Sequence, residues 1–120
     1  MSQDHAREYI ICYDIGEPKR LSRIHRMLKR IALPLQYSVF YTRMSERQRN
    51  KLAELLEKRI DPLEDDLRIY PLPPQYNVQY LGCEPFMEGL IPGGQTGTWE
   101  PAIDKLLSRE AQRQDQEDGE

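Results

Sequence analysis

The sequence predicts an α+β domain of the ferredoxin-like βαββαβ type, in which a four-stranded antiparallel sheet has two helices on one face. Three observations support this prediction: a strand-like run at residues 9–15, two amphipathic stretches with helical spacing, and further strand-like runs around the second of them. The 120 residues suit a single core. We expect the ferredoxin-like domain at residues 1–82 and a C-terminal extension at residues 83–120.

The first predicted strand ends close to a carboxylate. Residues 9–15 are mostly aromatic or β-branched, as in strands, and Asp14 lies near the end of the run. Alternation places Asp14 on the same face as Ile10 and Cys12. An aspartate often begins the turn after a strand, so a structural role and a functional role are both open for Asp14 at this point.

The first predicted helix follows Pro18 and ends before Pro34, with apolar residues at spacings of three and four. Between residues 19 and 30 the chain has six Lys or Arg and no acid, although its net charge is -3. The six cations are Lys19, Arg20, Arg23, Arg26, Lys29 and Arg30. A face of one sign repels itself unless an anion meets it, so this helix predicts nucleic-acid contact.

The remaining elements complete the predicted sheet. Residues 35–42 form a second predicted strand, with Phe40 and Thr42 on one face and Tyr41 on the other. Ser45 and Gln48 have the spacing of a capping box, which predicts that the second helix begins there. Two more strands are predicted at residues 67–72 and at residues 77–82, the latter at a sheet edge.

One face of this sheet has no helix to cover it. We expect this face to contain Ile10, Cys12, Asp14, Phe40 and Tyr70, with Ser38 in the same row as Phe40. Such a face is too apolar to remain exposed in a monomer, and a twofold partner is the simplest cover. The sequence therefore predicts a homodimer, with Ser38, Phe40 and Tyr70 at its interface.

The extension differs in composition from the domain. Residues 85–98 are rich in Gly and Pro and predict a loop, whereas residues 99–111 predict a short helix with Ile103, Leu106 and Leu107 on one side. The polar residues 112–120 are predicted to be disordered. The chain has two cysteines and no apolar run of membrane-spanning length, so we expect a cytoplasmic protein without membrane contact.

Several motifs resemble those of a known family. They are Tyr13-Asp14-Ile15, Lys19-Arg20-Leu21, Gln36-Tyr37-Ser38-Val39-Phe40 and Asp66-Leu67-Arg68-Ile69-Tyr70. In this order and spacing, residues 9–82 resemble the CRISPR-associated protein 2 family, the small subunit of the spacer-acquisition machinery. The sequence departs from the family pattern at Tyr41, where the family often has Glu.

The resemblance implies a homodimer in which Asp14 of each chain faces the other across the twofold axis. Members have been assigned metal-dependent cleavage of RNA or double-stranded DNA, and others act as a bridge between copies of the CRISPR integrase. The resemblance therefore implies that Asp14 is the catalytic and metal-binding residue, with Mg²⁺ or Mn²⁺ as cofactor. It also implies duplex DNA or RNA and the integrase as partners, and we expect residues 83–107 to dock on the partner subunit or the integrase.

The metal site predicted from the residues is a shared one. Glu17 is the only acid near Asp14 in sequence, and no spacing of paired carboxylates or of His ligands is present, so a site made of two Asp14 side chains is the plausible version. The cations predicted to bind nucleic acid are Lys19, Arg20, Arg23, Arg26, Arg30 and Arg68.

Two other functions remain open. One is a free-standing, toxin-like ribonuclease on the same fold, which would use Asp14 in the same way. The other is a regulatory ferredoxin-like dimer that binds a small ligand at its dimer face. The cationic helix disfavours the regulatory dimer, because a small-ligand site has no need of it.

Overall fold

The computed structural model describes residues 5–77, 79, 81 and 99–118. In chain order the elements are β1 (Ala6–Asp14), α1 (Pro18–Lys29), β2 (Leu33–Gln36), β3 (Val39–Ser45), α2 (Glu46–Arg59), β4 (Asp66–Pro71) and α3 (Glu100–Asp118). The strands form one antiparallel sheet in the order β2-β3-β1-β4. This arrangement confirms the predicted ferredoxin-like class.

The second predicted strand is two strands. Residues 35–42 are interrupted by a turn at Tyr37 and Ser38, and Ser38 has a φ of 67°, in the left-handed region. β2 and β3 therefore form a hairpin between the two helices. The fourth strand predicted at residues 77–82 is wrong where it can be tested: residues 77, 79 and 81 belong to no strand, and residues 78, 80 and 82 lie outside the described residues.

The core lies between the sheet and the helices. Tyr9, Ile11 and Tyr13 of β1 are buried on the sheet face that the helices cover. They pair with Thr42 and Phe40 of β3 on one side and with residues 67–71 of β4 on the other. The fully buried members include Ile24 and Leu28 of α1 and Leu52 and Leu56 of α2.

The prediction that Phe40 lies on the dimer face is wrong. Phe40 pairs with Ile11, has no exposed surface, and contacts His25 of α1 edge to face at 5.6 Å, so it belongs to the helix side. Ser38 lies in the hairpin turn, and its part in a dimer face stays a prediction. Alternation along residues 35–42 does not decide which row of side chains faces the helices. The pairing of Phe40 with Ile11 and of Thr42 with Tyr9 places that row on the helix side.

Both of the first two helices begin at side-chain caps. Glu17 precedes α1, and its carboxylate accepts hydrogen bonds from the backbone N–H of Lys19 and Arg20 at 3.0 and 2.7 Å. These hydrogen bonds lower the pKa of Glu17. At α2, Ser45 and Gln48 form the predicted capping box with two reciprocal bonds of 3.0 Å. The boundaries of both helices are thus encoded locally.

The third helix packs on the chain's own core. Ile103 has no exposed surface and Leu106 is 5% exposed. Gln48 of α2 donates hydrogen bonds to the Glu100 carbonyl oxygen at 3.0 Å and to an Asp104 carboxylate oxygen at 2.8 Å. The helix predicted at residues 99–111 is therefore confirmed, and its buried side faces its own subunit.

This packing bears on two predictions about the extension. Residues 99–107 pack on their own domain, and residues 83–98 lie outside the described residues, so docking of residues 83–107 on the partner subunit or the integrase stays a prediction. Residues 112–118 continue α3 as helix and are not the disordered tail that was predicted. The placement of the domain boundary at residue 82 stays a prediction. No described helix is long and apolar enough to cross a membrane.

Candidate functional site

The sheet face opposite the helices, which we call the open face, brings two carboxylates together. Asp14 ends β1 and pairs in register with Asp66, the first residue of β4. Both are exposed. Side chains directly opposite each other on antiparallel strands have Cβ atoms about 5 Å apart. A single chain therefore supplies a carboxylate pair, which adds Asp66 to the site predicted from two Asp14 side chains.

Arg68 lies next to this pair on β4. Its Nε is 3.1 Å from Oδ2 of Asp66, and its Nη1 donates a hydrogen bond of 3.1 Å to the hydroxyl of Tyr70. The register places Arg68 opposite Cys12 and Tyr70 opposite Ile10. The open face thus has an acidic end, a cation beside it, and an apolar and aromatic region further along. Tyr70, which is 44% exposed, is where the dimer prediction placed it.

The donor chemistry of the acidic end suits a hard divalent cation. Mg²⁺ is usually held by one or two carboxylates, together with water and substrate phosphate. Asp14 has no ion pair with any described residue, whereas Asp66 is partly neutralised by Arg68. Among the described residues no group of three or more His, Cys, Asp or Glu could hold a metal. Asp14 and Asp66 therefore fit a weakly held Mg²⁺ or Mn²⁺ that keeps positions open for water and phosphate.

Tyr41, the departure from the family pattern, lies on β3 beside Ile10 of the open face. It is 3% exposed, its ring packs edge to face on Trp99 at 5.9 Å, and its hydroxyl donates a hydrogen bond to Glu8. The Tyr76 hydroxyl also donates to Glu8, at 2.9 Å. Glu8 is six residues before Asp14 on the same strand, which corresponds to about 20 Å. Glu8 therefore cannot join the Asp14 site within one chain.

The predicted nucleic-acid residues are divided between two surfaces. Four of them form a row along the exposed side of α1 and its C-terminal end, which we call the cationic row: Lys19, Arg23, Arg26 and Arg30. Arg68 lies on the open face instead. Sequence spacing could predict the row because one helix contains it, whereas the position of Arg68 depends on strand pairing.

Arg20, the sixth predicted residue, is held by the turn before β4. Its guanidinium donates to Asp65 at 2.8 Å and 3.3 Å and to Glu64 at 3.2 Å. The Asp65 side chain has no exposed surface. The hydrogen bond from Arg20, followed by one from the Asp61 backbone N–H, lowers the pKa of Asp65 from 3.8 to about 2. The structure therefore gives Arg20 a structural contact that joins α1 to the end of the acidic turn.

His25, on the side of α1 nearest the hairpin, is also part of the structure. Its Nδ1 lies 2.9 Å from the Tyr13 hydroxyl, and its ring stacks on Tyr37 at 6.3 Å. Burial, with a smaller contribution from Tyr37, raises the pKa of the Tyr13 hydroxyl. This group fixes the hairpin against α1.

The fold and the open face define a ferredoxin-like protein with a carboxylate pair where β1 and the edge strand β4 meet. Residues 7–79 match the family described as CRISPR associated protein Cas2. The chain belongs to this family, which confirms the resemblance seen in its motifs.

Individual relatives agree with this assignment. The chain is 41% identical over 92 residues to "CRISPR-associated endoribonuclease Cas2 1" of Nitrosomonas europaea, an alignment that covers 77% of this chain and 88% of that protein. It is 36% identical over 66 residues to "CRISPR-associated endoribonuclease Cas2" of Thermus thermophilus, covering 55% of this chain and 70% of that protein.

Solved structures give the same fold. A crystal structure of a hypothetical protein from Thermus thermophilus matches with a TM-score of 0.61 and 32% identity, covering 68% of this chain and 98% of that one. A crystal structure described as cas2 matches with a TM-score of 0.59 and 25% identity, covering 72% of this chain and 99% of that one.

Proposed function

We propose that this protein is the nucleic-acid-binding subunit of a CRISPR adaptation complex, in which a homodimer holds duplex DNA and bridges copies of the integrase. The observation that supports this most directly is the cationic row on α1, which has no acid interspersed. Its four side chains are exposed, and none forms an ion pair with another described residue. Such a row is stabilised by a polyanion.

The homodimer is proposed from the open face. No described helix covers three residues of this face, Ile10, Cys12 and Tyr70. Tyr70 is 44% exposed, and Ile10 and Cys12 are half-buried. A twofold partner on this face would bury them and bring the Asp14–Asp66 pairs of the two chains near one another. Four facing carboxylates would repel, and a divalent cation or a shared proton would relieve the repulsion.

A metal-dependent endonuclease activity is part of the proposal. Asp14 and Asp66 would hold Mg²⁺ or Mn²⁺, and the bound ion would supply polarisation of the phosphate and activation of water. Arg68, beside Asp66, would donate a remaining guanidinium N–H to a phosphate oxygen. The cationic row would bind the backbone away from the carboxylates.

We assign the bridge as the main biological role and cleavage as a secondary activity. The carboxylate pair of one chain is small for a metal site and is partly neutralised by Arg68. Tyr41, where a further acid often stands in the family, donates a hydrogen bond to Glu8. Binding of DNA through its phosphates, in contrast, requires only the cationic row.

A second candidate is an endoribonuclease that acts independently of the integrase. The names of the relatives from Nitrosomonas europaea and Thermus thermophilus favour it, because both are called endoribonucleases. The carboxylate pair and Arg68 would serve RNA as well as DNA. The two candidates differ in whether the integrase is needed for the protein's activity in cells.

The experiment that tests the proposal measures duplex binding and spacer insertion with the same proteins. Wild type and an Arg23→Glu, Arg26→Glu double variant are titrated with two unrelated fluorescein-labelled duplexes and then added to an insertion reaction containing the integrase. We expect the variant to weaken binding by about tenfold or more for both sequences, because each charge-assisted hydrogen bond contributes roughly 1.5–3 kcal/mol. Insertion should fall in parallel.

The matched control is Lys51→Glu, Lys58→Glu on α2, which changes the net charge equally but lies away from α1. Both lysines are exposed. If both double variants bind duplex with the same affinity, α1 is not part of the interface. If the wild type binds duplex but has no effect on insertion, and if it cleaves RNA in the absence of the integrase, the results would favour the endoribonuclease.

A further inference from the structure

A groove between α1 and α3 is lined mostly by arginines. It has a volume of about 400 Å³. Its lining consists of Arg23, Ile24, Arg26, Met27 and Arg30 from α1, Arg59 from α2, and Leu106, Arg109, Glu110 and Arg113 from α3. Six arginines thus surround a single acid. The groove exists only because the C-terminal extension folds back onto the domain.

The single acid is already neutralised. Glu110 is 6% exposed, its Oε2 accepts a hydrogen bond of 2.8 Å from Arg59, and its Oε1 lies 3.6 Å from Nη1 of Arg113. A buried carboxylate with two cationic partners has little charge left for other groups. Glu110 therefore fixes α3 to α2 and does not balance the arginines along the rim.

The rim arginines have no counter-charge of their own. Arg23, Arg26 and Arg30 on one wall and Arg109 on the other are exposed, and none of their side chains forms an ion pair or hydrogen bond with another described residue. Arg23, Arg26 and Arg30 are spaced by three and four residues, so they line about 10 Å of one wall. An unbalanced set of this kind costs self-repulsion in the free protein, and an anion in the groove removes that cost.

The walls are held in place by the core. Ile24 has no exposed surface and Leu106 is 5% exposed, and both belong to the single hydrophobic cluster of the domain. The distance between the walls is thus set by packed side chains, which are more rigid than surface loops. A ligand in the groove meets two arginine-lined surfaces that are already positioned.

We propose that this groove is a nucleic-acid backbone site in which α3 forms the second wall, so that Arg109 and Arg113 bind phosphates together with Arg23, Arg26 and Arg30. This placement rests on the proposed role in holding duplex DNA and assigns part of that role to the extension. The sugar–phosphate backbone is the favoured occupant because the groove is continuous with the cationic row. The guanidinium fork also matches phosphate oxygens in pairs.

The test compares two charge reversals on the same helix in the full-length protein. Arg109→Glu changes the second wall, whereas Lys105→Glu changes the net charge equally at an exposed position that does not line the groove. Binding of a fluorescein-labelled duplex is measured over a series of salt concentrations, and circular dichroism checks that both variants are folded. Arg109 has no described partner, so its replacement should leave the fold intact.

We expect Arg109→Glu to weaken binding about tenfold, because it removes a charge-assisted hydrogen bond to phosphate, and Lys105→Glu to change binding little. In a plot of the logarithm of affinity against the logarithm of salt concentration, the magnitude of the slope should decrease by about 1 for each phosphate that the variant no longer binds. Bound duplex should also protect Arg109 and Arg113 from phenylglyoxal, as read by mass spectrometry of the modified peptides.

Three results would overturn the inference in distinguishable ways. If Arg109→Glu behaves like Lys105→Glu while Arg23→Glu, Arg26→Glu loses binding, the duplex contacts α1 alone, and the proposed function survives. If the wild type binds no duplex, the proposed function fails as well. If a labelled poly-glutamate peptide binds in a manner that depends on Arg109 while duplex binding does not, the groove is a site for an acidic protein segment.

Discussion

The cationic row on α1 and the carboxylate pair on the open face are assembled in different ways. The row needs only one helix, because residues at spacings of three and four share a side. The pair joins Asp14 and Asp66, which are 52 positions apart and meet only through the register of β1 with β4. A surface feature of one element can therefore be predicted from spacing, whereas a site made by two strands requires their pairing.

The two regions also differ in how their charges are balanced. On the open face, Asp66 and Tyr70 both contact Arg68, so the cation is shared between neighbours on one strand. Along α1, Arg20 is the one cation that forms ion pairs with acids of the described part of the chain, and these acids come from the turn before β4. We therefore expect the helix side to govern affinity for nucleic acid and the open face to govern metal-dependent chemistry and dimer formation.

The largest effect that would separate the two regions is expected for Asp14→Asn. The amide is nearly isosteric but lacks the anionic oxygen that holds Mg²⁺ or Mn²⁺, so metal-dependent cleavage should be abolished while duplex binding and spacer insertion are retained. Cleavage assays with and without EDTA, alongside anisotropy titrations, would measure both.

Glu64→Gln is the matched control for Asp14→Asn, since it removes one exposed acid outside the pair. Cleavage that persists equally in wild type and Asp14→Asn would point to a contaminating nuclease. Loss of insertion in Asp14→Asn would mean that the carboxylate serves the bridging role, contrary to the proposed division between the two regions. A smaller loss of cleavage in Asp66→Asn would agree with its partial neutralisation by Arg68.

The second-largest effect is expected for Phe40 and Tyr70, the two aromatic residues that the sequence predicts on the same sheet face. Phe40→Ala should lower the free energy of unfolding by roughly 3–5 kcal/mol, because it empties a fully buried position. Tyr70→Ala should alter the folding of each chain little but weaken the dimer. Urea unfolding at fixed protein concentration measures the first effect. Light scattering measures the second, and wild type should show about twice the chain mass of 14.2 kDa.

Two results would contradict that comparison. A wild type that remains at the mass of one chain at micromolar concentration would count against the open face as a dimer interface. If Phe40→Ala and Tyr70→Ala lower the free energy of unfolding by similar amounts, the two side chains are not on opposite faces of the sheet with different burial.

The smallest effect concerns Asp65, which connects α1 to the start of β4. Its pKa is about 2 in the folded chain against an ordinary 3.8. Because the folded pKa is depressed, its stabilising contribution is complete above about pH 4 and is lost as the pH falls through about 2. The unfolding free energy of Asp65→Asn should therefore fall less steeply over this range than that of wild type.

Urea unfolding at a series of acidic pH values would measure this difference. Glu64→Gln again serves as the control, since Glu64 is 65% exposed in its side chain and contacts the same arginine. Equal pH dependence in wild type and Asp65→Asn would show that the ion pair between Arg20 and Asp65 does not persist in solution.

The helices and their caps were determined by the sequence itself. Glu17 and Pro18 start α1 and the Ser45–Gln48 capping box starts α2, because these side chains bond to backbone groups only two or three residues away. The same locality applies to the cationic row and to the helix at residues 99–111. The family motifs between residues 13 and 70 likewise identified the fold class, and they predict a functional role for Asp14.

Only the tertiary structure decided which residues meet across elements. A left-handed residue, Ser38, divides the second predicted strand, and the register of β3 with β1 buries Phe40. The separate register of β4 with β1 leaves Tyr70 on the open face. Pairing between strands placed Asp66 beside Asp14. Burial of Ile103 and Leu106 brought Arg109 opposite the cationic row. These contacts join residues far apart in the chain, and local spacing contains no information about strand register or about which core a distant helix will cover.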